Sequence, residues 1–242
     1  MQAGFSLPTP SSFFPLQEAV RGARRFLARP VLQKLPVGPK LLSFLLATTD
    51  WGSTLRCLYL TLWLTFSRLS SLIPVGGQFG FDLRAHLTWS NIIFKNGGVW
   101  VVLEKTKTIQ CGERQLQFLI PMHPNKSVCL STHLLALRAS TPRSGPHDPV
   151  FLLFKGDTSC PLTRIDVEPV FKAGLSAARV NPRLYGWSSF RRGGATTSFL
   201  ANRDVESLRA HGDWASSAYT RYLAIPAPAR AGLVTTLQDT LG

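Results

Sequence analysis

Acidic residues are scarce in this chain. Asp and Glu number 13 against 27 Lys and Arg in 242 residues, a formal net charge of +14. The excess points to a polyanionic partner, nucleic acid first and an anionic membrane surface second. Cysteine is sparse too: Cys57, Cys111, Cys129 and Cys160 form no CxxC pair. That spacing fits neither a zinc site nor a dense disulfide framework, and agrees with reduced thiols in a cytosolic or nuclear protein. Long apolar runs are missing. The most apolar run, Cys57 to Ser67, has 11 residues closed by Arg56 and Arg68, whereas a spanning helix needs about 20. Met1 to Phe14 lacks a basic start followed by an apolar core, so no secretory signal and no membrane span are expected.

What is present is enough apolar material for a core. Hydrophobic residues make up 45% of the chain, which excludes a disordered basic tail. Residues 1–16 read as a loose tail. Leu16, Val20, Ala23 and Leu27 then fall at helical spacing while Arg21, Arg24 and Arg25 lie elsewhere on the wheel, a basic amphipathic helix. Pro30 to Pro39 reads as an extended linker. Helices are expected over Lys40–Ala47 and over Ser53–Leu72, the latter apolar nearly all round and therefore buried. A hairpin is expected from Asn91–Phe94 and Val99–Leu103 around Asn96-Gly97-Gly98, with a third strand over Gln115–Ile120. Then come a helix at Ser131–Ala139, a strand at Val150–Lys155, and helices at Arg164–Ala178, Ser188–Leu200, Val205–Arg209 and Ala215–Leu223. Residues 230–242 read as a C-terminal tail. The fold class is mainly α with a small antiparallel β-sheet (α+β).

The most informative segment is Ser188-Ser189-Phe190-Arg191-Arg192-Gly193-Gly194-Ala195-Thr196-Thr197. Two arginines open a helix with two glycines behind them, and glycine there lets something bulky approach the backbone, another helix or a phosphate. Taken alone, an Arg-Arg pair is more often a solvated helix face. About twenty residues later comes His211-Gly212-Asp213-Trp214-Ala215-Ser216-Ser217-Ala218-Tyr219-Thr220-Arg221-Tyr222-Leu223.

With Leu64-Thr65-Phe66-Ser67-Arg68-Leu69-Ser70-Ser71-Leu72 and Lys105-Thr106-Lys107-Thr108-Ile109-Gln110 before Glu113-Arg114, these blocks stand in an order and spacing that resembles the catalytic domain of the tyrosine recombinase (phage integrase) superfamily. Within it the likeness is nearest to recombinases of DIRS-type retrotransposons. It spans roughly residues 17 to 229 and implies a catalytic domain over 40–229, preceded by residues 17–39 as the remnant of a core-binding domain. It also implies site-specific recombination or integration of a mobile element in the nucleus. The partner would be double-stranded DNA held by a homo-tetramer, with no metal and no cofactor.

The resemblance assigns roles residue by residue. Arg68 and Arg191 would clamp the non-bridging phosphate oxygens, a task suited to a planar, permanently charged fork. Lys107 would protonate the leaving 5′ oxygen, with Lys105 as the neighbouring alternative. Tyr222 would be the nucleophile, with Tyr219 its competitor. Trp214 would supply packing and a hydrogen-bond donor. Arg21, Arg24, Arg25, Lys34, Lys40, Lys105, Arg192 and His211 would contact DNA.

Two positions depart from the family pattern. Ser188 stands three residues before Arg191, where a histidine is usual, and cannot titrate near neutral pH. Asp213 stands nine before Tyr222, where His or Trp is usual, and puts a carboxylate near phosphate. These departures keep a second reading open, a degenerate recombinase-derived protein that binds DNA without cutting it.

Overall fold

The computed structural model describes residues 18–20, 33–49, 52–95, 97–106, 109, 114–155 and 158–239. The chain divides into two compact units, one ending at Gln33 and one running from Lys34 to Gly242. In the first, residues 18–20 are helical; Arg21, Arg24 and Arg25 lie outside the described residues. No helix among the described residues is long and apolar enough to cross a membrane.

In the second unit α1 (Pro39–Thr48) and α2 (Gly52–Leu64) lead into a three-stranded antiparallel sheet of β1 (Ile92–Lys95), β2 (Gly98–Leu103) and β3 (Leu116–Pro121). β2 is central, pairing Ile92 with Val101 on one side and Val101 with Phe118 on the other. α3 (Leu130–Ser140) packs on α2 and the sheet. A hairpin of β4 (Leu152–Lys155) and β5 (Thr158–Pro161) follows, then α4 (Arg164–Ala177), α5 (Ser188–Asn202), α6 (Val205–His211) and α7 (Ala227–Asp239). The architecture is the expected helical domain with a small antiparallel sheet inside it.

The main core joins both helix layers to the sheet. At its centre Tyr59 of α2 stacks on Phe190 of α5 with ring centroids 5.0 Å apart, and Phe171 of α4 lies 4.8 Å from Trp187. α5 can approach α2 this closely because of its glycine pair. A Cβ on Gly193 would lie 1.9 Å from the Val37 carbonyl oxygen, and one on Gly194 2.1 Å from that of Trp63. The bulky neighbour that the sequence left open is therefore another part of the fold, not a phosphate.

A second, smaller core gathers Phe66, Ala195, Leu208 and Trp214, with Tyr219, Tyr222 and Leu223 packed around it. It draws on the end of α2, the middle of α5, α6 and the segment after α6.

Three expectations are corrected. α2 ends at Leu64 rather than Leu72. Thr61 and Thr65 turn their hydroxyls back onto the carbonyls four residues earlier, at 2.7 and 2.6 Å, and Phe66 takes a left-handed φ of +50°. The helix expected over Ala215–Leu223 is a short 3-10 turn, Ser217–Arg221, with Tyr222 at its C-terminal cap. Residues from 230 onward, expected as a tail, continue α7 to Asp239; β5 was not expected at all.

Candidate active site

The break after α2 builds the site. A helix C-terminus leaves carbonyl oxygens without intrahelical partners, and here distant side chains satisfy them. The Arg191 guanidinium donates through Nη1 to the Phe66 carbonyl, and through Nη2 to the Gly212 carbonyl at 2.7 Å. His211 donates through Nε2 to the Leu64 carbonyl at 2.7 Å. One arginine thus ties the end of α2 to the turn after α6.

Arg191 is only 7% exposed, and its Nε has no hydrogen-bond partner. Its guanidinium carbon lies 4.5 Å from the centre of the Trp214 ring and 4.9 Å from that of Tyr222. Its flat face thus lies against both aromatic rings. Burial pushes its pKa down to about 10, and the nearby charge of Arg68 adds to the shift, while Tyr222 and Asp213 oppose it. Arg191 therefore stays protonated at neutral pH, as a phosphate clamp requires.

Arg68, half-buried, caps the short turn Leu69–Ser71 and lines a narrow cleft with Ser67, Thr106, Arg191, Gly212 and Asp213. Two guanidinium groups repelling one another across a cleft form a place where an anion is favoured. Trp214 is buried, its ring 5.3 Å from that of Tyr222, and its indole N–H has no partner. Tyr222 is half-buried, and its carbonyl accepts from the Thr196 hydroxyl at 3.3 Å. Tyr219 packs on Trp214 from 6.4 Å.

The fold thus brings Arg68, Arg191, Trp214, Asp213 and Tyr222 together. Lys107 lies outside the described residues, although Thr106 beside it lines the cleft. Ser188 is exposed on the first turn of α5 and is not among the residues lining the cleft. Asp213 does not stand as a bare carboxylate, because Arg114 pairs with it. Arg114 had been read only as part of the matching block. Its partner lies 99 positions away, a pairing no local pattern carries.

Some expected DNA contacts are occupied elsewhere. Arg192 is buried, donates to the Arg221 carbonyl, and has its pKa lowered by burial; it holds the tyrosine segment rather than facing solvent. His211 packs between Phe66 and Phe118, with ring centroids at 4.6 and 5.1 Å, and burial lowers its pKa. Lys34 donates to the Arg183 carbonyl at 2.5 Å, and Lys105 lies 3.9 Å from Asp82. Lys40 is exposed on the first turn of α1. Among the described residues no group of three His, Cys, Asp or Glu is placed to hold a metal.

No protein-family model matches the chain, and no curated protein matches it significantly. Solved structures do. The XerH site-specific recombinase in a post-cleavage complex with palindromic difH substrate superposes with a TM-score of 0.62 at 14% identity, over 88% of this chain and 56% of that one. XerA recombinase gives 0.58 at 14% identity, over 95% and 77%. A lambda integrase dimer bound to a COC′ core site gives 0.53 at 16% identity, over 86% and 70%. The fold is that of a tyrosine recombinase catalytic domain. This chain spans little more than half the length of XerH. Tyr222 packs on the smaller core, and Arg191 lies over the Trp214 ring of that core.

Proposed function

We propose that the chain breaks and rejoins DNA with Tyr222 as nucleophile. The observation that carries this reading is the Arg191 guanidinium. It lies over the Tyr222 ring at 4.9 Å and shares a cleft with Arg68. The tyrosine oxygen attacks a backbone phosphorus, the bond to the 5′ oxygen breaks, and a 3′-phosphotyrosine and a 5′-hydroxyl result. Arg68 and Arg191 stabilise the charge that grows on the non-bridging oxygens. Lys107 protonates the departing oxygen. The wider setting is a mobile element of DIRS-type character acting in the nucleus, through a tetramer that joins two duplexes.

The test uses nicked, symmetric DNA carrying the element's own ends, on which a covalent intermediate accumulates. A denaturant-resistant adduct that Tyr222→Phe abolishes is the expected result. No adduct on any end sequence or varied half-site overturns the reading. Ser188 supports the second reading, a DNA-holding relic, since it is exposed and cannot act as a general acid or base near neutral pH. That reading expects salt-sensitive binding unchanged by Tyr222→Phe and no adduct from the parent chain.

A further inference from the structure

The cleft is lined by a carboxylate, that of Asp213, whose ion pair the scheme above leaves idle. Arg114, just before β3, donates through Nη2 to the Asp213 carboxylate. The Asp213 side chain, which lines the cleft, is 11% exposed and that of Arg114 51% exposed, so the pair links a cleft residue to a solvent-facing cation. Asp213 takes a left-handed φ of +53°, its N–H donates to the Ala210 carbonyl at 3.2 Å, and the carbonyl before it receives Arg191. A left-handed backbone is uncommon outside glycine, and an ion pair with an exposed partner adds little to stability. A carboxylate beside two phosphate-holding arginines also opposes anion binding. It helps keep Arg191 charged, and it holds a third guanidinium beside the cleft.

We propose that Arg114 is a further phosphate-contacting cation of this site, and that Asp213 is the positioning residue that stations it there. The inference rests on the reading of the cleft as a phosphodiester site. A guanidinium carries five N–H donors in a planar fork, and the pair with Asp213 engages only Nη2. Donors therefore remain for a phosphate oxygen entering over Arg68 and Arg191. Asp213 offsets one positive charge in the empty cleft, where three arginines would otherwise repel.

The experiment measures duplex affinity against salt on a short random-sequence DNA, and adduct formation on the nicked substrate. Arg114→Gln should make the log K against log salt slope shallower by about 0.9, the share of one phosphate contact. It should also slow adduct formation roughly ten- to a hundredfold. Arg114→Lys should restore the slope and part of the rate. Asp213→Asn should slow the adduct similarly, and combining it with Arg114→Gln should add no further loss. Arg143→Gln, on an exposed loop, removes the same formal charge and should leave the slope unchanged.

An unchanged slope and rate in Arg114→Gln with a lowered melting temperature reduces the pair to a structural tie and overturns the inference. Parental rates in Asp213→Asn overturn the positioning half. If the parent chain forms no adduct, the proposed function falls, and the slope still decides Arg114. A loss confined to Arg114→Gln upholds the phosphate contact, and a slope equal to the parent's removes it.

Discussion

The guanidinium carbon of Arg191 lies 4.9 Å from the centre of the Tyr222 ring and 4.5 Å from that of Trp214. The two residues are 31 positions apart in sequence and meet because the second core folds the turn after α6 back onto α5. Tyr222→Phe keeps the ring and its packing while removing the hydroxyl. Covalent adduct on denaturing gels should vanish, with duplex binding retained. Tyr219→Phe should keep the adduct; if its adduct is lost while that of Tyr222→Phe persists, the nucleophile is misassigned.

The two clamp arginines should separate in their effect on folding. Arg191→Ala leaves the Phe66 and Gly212 carbonyls without their donor, and unsatisfied buried carbonyls should cost about 2–4 kcal/mol together. Arg68→Ala, half-buried along the cleft, should stay within about 0.5 kcal/mol of the parent. Both should lose adduct. Urea midpoints for the two variants decide this, and equal midpoints would contradict the structural role given to Arg191.

Gly194 is a packing glycine. Its added Cβ would meet the Trp63 carbonyl at 2.1 Å and the Phe66 ring at 2.7 Å, whereas one on Gly76 meets nothing within 4 Å. Gly194→Ala should cost about 1–3 kcal/mol by overpacking and displace the end of α2, with adduct lost. Gly76→Ala serves as the near-neutral comparison in the same denaturation series.

Acid should weaken the fold through His211. Burial lowers its pKa below the ordinary value of 6.5, so the unfolded chain binds the proton more readily than the folded one. Its contribution is fully present above about pH 6.5 and is lost as pH falls through that value toward the lower folded pKa. His211→Gln should flatten the fall in melting temperature between about pH 8 and pH 5. Some slope should remain from His86, whose pKa burial also lowers. A profile as steep as the parent's would remove His211 as its source.

Much of the fold was legible because local patterns carry it. The hairpin of β1 and β2 around Asn96-Gly97-Gly98, the helices α3 and α4, and the helix α5 bearing Arg-Arg-Gly-Gly all read correctly from sequence. The misreadings fell where tertiary contacts overrule periodicity. The segment Ser53–Leu72 looks like one helix, yet it breaks after Leu64, where Arg191 and His211 reach the Phe66 and Leu64 carbonyls. Tyr219 and Tyr222 look like one helix face, yet sit on a 3-10 turn packed on Trp214. Arg192 and His211 look like surface cations because their type is polar, and their burial comes from partners far along the chain.

By itself the sequence determined a basic, mainly helical chain with a small sheet, and an ordered set of arginine, lysine and tyrosine blocks. Composition, hydropathy period and motif spacing are local properties, and they survive without a fold. Only the tertiary structure decided that Arg68 and Arg191 share one cleft with Tyr222 packed on Arg191, that the paired glycines receive the Val37 and Trp63 carbonyls, and that Asp213 holds Arg114. Those facts depend on carbonyls and charges brought together from far along the chain, as Phe66 and Arg191 are across 125 positions. Distances of that kind exist only once the core has closed.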